Sequence, residues 1–209
     1  MKLVSLVSSG IDSPVATFLM SKKSDEILLL NAEIKPFSDE RETEKFIKLA
    51  KHLKKICKCP VKAFVIPHGS SLEEYKKKSD NKYTCVFCKR ILLRYAEKIA
   101  KKNNCDAIIM GDSLGQVASQ TLQNIKTIEE AVMIPVFRPL IGFDKEDVVK
   151  IAKEIETYDL SILPSSGCSA VPNKPSTMAK IEKIIEEENK INVEELVSNA
   201  VNNSYFVKI

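Results

Sequence analysis

Three cysteines and one turn carry the chemistry this chain can offer. Cys85 and Cys88 form a Cys-Val-Phe-Cys pair immediately before a helical pattern, and Cys168 lies eighty residues beyond Cys88 in a Ser- and Pro-rich stretch. A CxxC pair is compatible with zinc, with thiol exchange or with a metal–sulfur cluster. The second feature is Ser8-Ser9-Gly10-Ile11-Asp12-Ser13, between a short apolar run and a helix. Backbone N–H groups and the helix dipole converge there, which suits a phosphate. The loop lacks the lysine of a Walker A motif and the spacing of a dinucleotide turn. Ser, Gly and Asp are also ordinary turn residues, and Asp12 can be read as a plain helix cap.

The elements that must position these residues follow from the apolar pattern. Met1 to Val7, Glu26 to Ile34, Val61 to Ile66 and Asp106 to Met110 read as strands, with helices from Asp12 to Met20, through Phe46 to Ile56, and from Arg90 to Ala100. A further helix starts within Gly115 to Leu122, a fifth strand falls in Ala131 to Leu140, and Asp144 to Ile155 reads as a helix. The expected fold is therefore α/β, a Rossmann-like parallel five-stranded sheet with helices on both faces, plus C-terminal helices. The expected division is residues 1–160 as the main domain, 161–177 as the loop bearing Cys168, and 178–209 as a helical extension. Ligands of such sheets bind at the carboxyl ends of the strands, where Ser8 to Ser13, Asn31, Ala32, Gly111 and Asp112 fall.

Composition narrows the classes. The chain has 209 residues, 44% hydrophobic and 29% charged, with six glycines and nine prolines, which excludes disordered and collagen-like readings. No apolar run approaches the roughly 20 residues that span a bilayer, so no membrane partner and a cytoplasmic location are expected. Six cysteines in such a chain argue for metal or redox chemistry rather than a disulfide framework. The net charge of +4 rests almost wholly on lysine, a weak attraction for anions.

SSGIDSPVA resembles the SGGxDS loop of the PP-loop ATP pyrophosphatases, with Ser9 where the family usually has glycine. MGDSLGQVASQTLQNI (Met110 to Ile125), FRPLIGFDKEDV (Phe137 to Val148) and KPFSDERE (Lys35 to Glu42) closely resemble the tRNA 4-thiouridine synthetases, sulfurtransferases also linked to thiamine biosynthesis. The likeness runs from about Leu3 to Thr177. It implies an ATP site made by Leu6, Val7, Ser8, Ser9, Gly10, Ile11, Asp12, Ser13, Asn31, Ala32, Lys89, Gly111 and Gln120. Asp12 would assist activation through Mg²⁺ and phosphate geometry, and Lys145 would neutralise phosphate charge. Read without the resemblance, Lys145 is a solvated helix charge, and Gln116, Ser119 and Gln120 are caps of the neighbouring helix.

Cys85, Cys88 and Cys168 resemble the thiol set of the archaeal branch, in which CxxC and one distant cysteine hold an iron–sulfur cluster. The implied cofactors are ATP, Mg²⁺ and a [4Fe–4S] cluster. A [3Fe–4S] cluster, zinc, or a persulfide on Cys85 or Cys168 without metal are the alternatives. Cys85 and Cys168 are thus candidate catalytic residues beside Asp12 and Lys145. Cys57, Cys59 and Cys105 read as structural, and His52 and His68 as isolated.

The family carries an N-terminal THUMP region, and its bacterial members a rhodanese domain, whereas this sequence opens on the first strand. The expectation is a branch without either, with tRNA reached through a separate RNA-binding subunit or a homodimer, and a sulfide or persulfide donor. Lys45, Lys48, Lys51, Lys54, Lys55 and Lys58, with Lys76 to Lys78, Lys82, Lys89 and Arg90, are a possible phosphate-tracking surface or simply a solvated face. Two rivals stand beside RNA thiolation at uridine C4. One is transfer of sulfur to another RNA position or a small molecule; the other is a non-catalytic nucleotide-binding or sulfur-carrier subunit.

Overall fold

The computed structural model describes residues 1–209. Its elements in chain order are β1 (Lys2–Leu6), α1 (Asp12–Ser21), β2 (Glu26–Glu33), α2 (Glu40–Ile56), β3 (Val61–Pro67), α3 (Gly69–Lys78), α4 (Thr84–Asn103) and β4 (Ala107–Ile109). There follow α5 (Leu122–Glu129), β5 (Val136–Phe137), α6 (Lys145–Glu154), α7 (Tyr158–Ser161), α8 (Ile181–Glu188), α9 (Val193–Asn202) and β6 (Tyr205–Val207). The strands pair in the order β5-β4-β1-β2-β3-β6. Every pairing is parallel except β3 with β6.

Side chains alternate along each strand, so the sheet divides the core in two. Val4, Leu28, Leu30 and Ile108 face α4, α5, α8 and α9, with Phe87, Ile91, Ile128 and Val197 packed against them. Leu3, Ile27, Leu29 and Ile109 face α1, α2 and α6, meeting Val15, Phe46, Leu53 and Val148. Both faces of the inner strands are thus covered, which explains why β1 and β2 read as unbroken apolar runs.

The sheet has six strands where five were expected. The extra one, β6, runs antiparallel along β3, with Phe64 opposite Phe206 and Val65 opposite Tyr205. The C-terminal segment is therefore part of the sheet and core rather than a purely helical appendage. Its helices are tied to α4 by Glu188, whose carboxylate accepts from Arg90 Nε at 2.8 Å and from Arg94 Nη2 at 2.7 Å. Burial would raise the Glu188 carboxyl, but Arg94 and Arg90 hold it below the usual carboxylate range.

Other boundaries move for local reasons. Pro135 and Pro139 flank β5 and confine it to two residues. The segment from Gly115 is a turn and a single 3₁₀ turn at Ala118–Gln120; α5 begins only at Leu122, capped by Thr121 accepting from the Asn124 amide. The polar helix α3 was not anticipated. No helix is long and apolar enough to cross a membrane.

The chain runs outward from β1 through β2 to β3, then returns to lay β4 and β5 on the other side. That reversal opens a crevice at the carboxyl ends of β1 and β4.

Candidate active site

The turn after β1 is held by its own side chains. Ser13 Oγ accepts from the Ser8 amide at 2.9 Å, Ser8 Oγ accepts from the Gly10 amide at 3.3 Å, and Thr17 of α1 reaches Ser5 of β1 at 2.7 Å. The free N-terminus of α1 is therefore fixed against the strand end. Ser9 needs no special backbone: the non-glycine residues with positive φ are Asn104 and Glu156. Its hydroxyl instead donates to Glu42 of α2. Gly111, just past β4, is required. A Cβ there would lie 2.7 Å from Ser13 N and Cα, so the turn packs directly on its backbone.

Around this turn is a cavity of about 500 Å³, a size suited to a nucleotide. Leu6 to Ser13, Asn31, Ala32, Lys89, Gly111 and Gln120 all line it, so the residues assigned to ATP by resemblance surround one space. Asn31 is aimed by its Nδ2 donating to the Val7 carbonyl at 2.8 Å.

Asp12 does not cap α1; Ile11 occupies the cap position without a side-chain bond. Its carboxylate pairs with Lys145 Nζ at 2.6 Å, across 133 residues of sequence. Lys145 lies outside the cavity lining, at the start of α6, and reaches it through Asp12. The plain helix-cap and solvated-charge readings of these two residues both give way to one ion pair at the turn.

On the far wall sits Asp112, placed by the sequence at the carboxyl end of the fourth strand but given no role there. Asp112 is buried, and its carboxylate meets Lys89 Nζ at 2.6 Å, Gln120 Nε2 at 3.4 Å and Arg138 Nε at 3.3 Å. Burial would push its carboxyl up, but the charges of Lys89 and Arg138 and the bond from Gln120 keep it below the usual range. Gln120 Oε1, Ser113 Oγ and Arg138 Nη2 are buried beside it without protein partners. Such unpaired groups are costly in an apolar setting and are satisfied by bound molecules.

The cysteines meet the same cavity. Cys88, in the first turn of α4, and the exposed Cys168 both line it. Cys85, one turn earlier on α4, lies outside the lining. Burial first, then Cys168, raises the Cys85 thiol; burial, then Cys168 and Cys85, pushes Cys88 up to about 12, with Lys89 opposing both. No group of three His, Cys, Asp or Glu stands arranged to hold a metal ion.

The Cys168 loop is pinned over the cavity. Phe37 O accepts from Ser169 N at 2.8 Å, Ser166 Oγ accepts from the Asp39 amide at 3.0 Å, and Lys45 Nζ donates to Ser165 Oγ at 3.2 Å. Glu42 Oε1 accepts from Gly167 N at 3.2 Å while Oε2 takes the Ser9 hydroxyl. One carboxylate thus bridges the phosphate turn and the cysteine loop. From the sequence, Glu42 has no role beyond its place in the KPFSDERE motif.

His68 is not isolated. It is fully buried after β3, with Nε2 3.2 Å from Cys88 Sγ and Nδ1 3.2 Å from Tyr95 Oη. Burial drives its imidazole down to about 3, so the ring is neutral. His52 donates Nε2–H to the Ile155 carbonyl at 2.7 Å and is structural. Lys45 and Arg90 are buried and engaged, so they leave the suggested basic surface; Lys48, Lys51, Lys54, Lys55 and Lys58 remain exposed.

Comparison with known proteins agrees with this geometry. Residues 1–193 match the family described as "Thiamine biosynthesis protein (ThiI)". A "Probable tRNA sulfurtransferase" of Methanothermobacter thermautotrophicus is 43% identical over 94% of this chain and 51% of its own. Another of the same description, from Methanocaldococcus jannaschii, is 41% identical over 91% of this chain and 50% of its own. The chain thus spans about half the length of these curated relatives. A solved structure, "Crystal structure of a 4-thiouridine synthetase - RNA complex with bound ATP", superposes with TM-score 0.93 at 33% identity, covering 99% of this chain and 55% of that one. An NMN synthetase from Francisella tularensis shares the fold alone, at TM-score 0.60 and 14% identity. On its matching residues, its motifs and its sheet, the chain belongs to the ThiI family.

Proposed function

We propose that this chain is the ATP-dependent catalytic unit of a tRNA sulfurtransferase that makes 4-thiouridine. The observation that carries the reading is one cavity at the carboxyl ends of β1 and β4 whose wall includes both the phosphate turn and two of the three candidate thiols. The relatives described as tRNA sulfurtransferases, and the synthetase with RNA and ATP, support the substrate pair.

The C4 oxygen of a uridine attacks the α-phosphorus of ATP, and pyrophosphate leaves. Sulfide then adds at C4 and AMP departs with the former carbonyl oxygen. Activation is needed because the oxygen of a uracil carbonyl is a poor leaving group, whereas AMP is a good one. The chain positions and neutralises. Amides of the Ser8–Ser13 turn and the α1 N-terminus hold phosphate oxygens, and Lys145 and Lys89 balance their charge. Asn31 and Ala32 border the base, and Gln120 offers its unpaired Oε1.

Asp12 would share Mg²⁺ with the phosphates, as carboxylates commonly do. By the chemistry of their thiols, Cys85, Cys88 and Cys168 would be the residues to hold an iron–sulfur cluster. Such a centre, when bound, supplies a reactive sulfide. A persulfide donor attacking through Cys168 would use the same exposed position.

Asp12→Ala and Lys145→Ala should each abolish thiolation with the fold intact. Cys168→Ala should abolish thiolation while pyrophosphate release from ATP in the presence of tRNA persists. Retained thiolation in Cys168→Ala would remove the sulfur role from that residue. The family description also names thiamine biosynthesis, which favours a second reading in which the sulfur goes to a small molecule. Mass spectrometry of tRNA nucleosides from a deletion strain separates the two: loss of 4-thiouridine supports the first, an unchanged profile the second.

A further inference from the structure

We infer that His68 is a positioning residue for sulfur delivery, donating its Nε2–H to Cys88 Sγ at the end of an ordered chain that runs from Ser71 through Tyr95. The inference rests on the sulfur role proposed for the cysteines. The contacts are Ser71 Oγ to Tyr95 Oη at 2.8 Å, Tyr95 Oη to His68 Nδ1 at 3.2 Å, and His68 Nε2 to Cys88 Sγ at 3.2 Å. Ser71, Tyr95 and His68 are each no more than 1% exposed, so water does not enter the count of donors and acceptors.

That count fixes the direction. A neutral imidazole carries one N–H, on either nitrogen. Were it on Nδ1, it would donate to Tyr95 Oη, Tyr95 would donate to Ser71, and the Ser71 hydroxyl hydrogen would be left without an acceptor in a dry site. With the hydrogen on Nε2, Ser71 donates to Tyr95, Tyr95 donates to Nδ1, and every hydroxyl hydrogen is used; the donor left over is the Cys88 S–H, far weaker than a hydroxyl and absent once the sulfur is a thiolate, a persulfide or metal-bound. Leaving a buried donor unpaired costs more than a hydrogen bond gains, so the second arrangement prevails. It presents an N–H to the sulfur and makes Cys88 an acceptor.

The backbone holds the ring in place: His68 N donates to Glu33 O at 2.7 Å, and the Tyr95 ring meets the imidazole edge to face. Cys88 Sγ is thereby fixed in one orientation on the cavity wall, as an electron-rich sulfur. A thiolate, a persulfide or a metal-bound thiolate would each accept the same bond. Cys168, exposed at the mouth, is the thiol left to meet incoming reactants. The division of labour is one anchored sulfur and one accessible sulfur.

Two measurements on the full chain, purified anaerobically, test this. Two-bond ¹H–¹⁵N correlation of the His68 ring should show a protonated Nε2 and a bare Nδ1; Tyr95→Phe, which removes only the hydroxyl, should give a mixed tautomer. A protonated Nδ1 in the wild-type protein would overturn the inference. In kinetics, His68→Phe should lower kcat for thiolation about tenfold or more, with KM for ATP unchanged within about twofold. His68→Gln, whose amide can place a donor near Nε2, should recover most of that loss.

Equal rates for the Phe and Gln variants, with Cys88→Ala defective, would sink the positioning role alone. Wild-type thiolation by Cys88→Ala would instead sink the sulfur role of Cys88 and this inference with it. Should His68→Phe fail to fold, Tyr95→Phe decides: a mixed tautomer with slowed thiolation supports the relay, and an unaltered tautomer and rate contradict it.

Discussion

Glu42 does at the scale of a residue what neither loop could do alone. Its two oxygens accept from Ser9 and from Gly167, so the phosphate turn and the Cys168 loop share one anchor. Burial would raise its carboxyl, yet the bonds from Ser165, Ser9 and the Gly167 amide, with the charge of Lys45, leave it lowered. Glu42→Ala should therefore slow thiolation about tenfold, because bonds to a charged acceptor are each worth roughly 1.5–3 kcal/mol and this change frees the cysteine loop. Pyrophosphate release should fall less. Equal loss of both activities would show that Glu42 serves the nucleotide alone. Gly111→Ala makes the complementary test on the other side of the turn. The added methyl lies 2.7 Å from Ser13 backbone atoms, so the turn must shift, at an overpacking cost of about 1–3 kcal/mol. Calorimetry should register weakened ATP binding; unchanged affinity would mean the turn is more yielding than its packing implies.

The residues just named mark the limit of reading along the chain. Ser8 to Ser13 and Gly111 are legible because they stand at strand ends, and Gln120 only through the resemblance. Glu42 sits in a recognised motif without a role and His68 reads as isolated, since their partners lie 33 and 20 positions away. In the sequence, Lys145 draws its role from the resemblance alone, since its partner Asp12 is 133 residues distant.

Among the elements, the joint between α8 and α4 bears most on stability. Glu188 and Arg90 have side chains 7% and 3% exposed, so removing one partner strands a buried charge. Glu188→Ala should destabilise the chain by about 3–5 kcal/mol in urea unfolding. A loss below about 1 kcal/mol would mean that the apolar contacts of Ile184, Val197 and Val201 hold the joint unaided. The pH dependence has a definite sign. Glu188 titrates lower in the folded chain than the ordinary 4.5, so its stabilisation is present above that value and disappears as pH falls through the depressed one. The wild-type protein should lose stability in acid below about pH 4.5, and Glu188→Gln should flatten that decline. An unchanged slope in the variant would assign the acid sensitivity elsewhere. Sequence patterns found β1 to β4 because each is a continuous apolar run. They missed α3, whose buried side includes Leu72 and Tyr75 amid polar residues, and β6, three residues long and half exposed.

Over the whole molecule, the order of the strands brings the parts together. Reversal at β1 sets the turn after the first strand beside Gly111 after the fourth, and α4 carries Cys85 and Cys88 to the same rim. The long segment after α7 then folds back so that Cys168 closes the circle. Parallel sheet and crevice followed from the βα rhythm, but which loops would lie over the crevice depended on hydrogen bonds between segments more than a hundred residues apart.

The proposed activity requires ATP to act on the uridine oxygen in the cavity where sulfur arrives, and isotope transfer reads that step directly. With tRNA carrying ¹⁸O at C4 of the target uridine, AMP released during thiolation should carry the label in its phosphate, one equivalent for each 4-thiouridine formed. Unlabelled AMP accompanying 4-thiouridine would contradict the account.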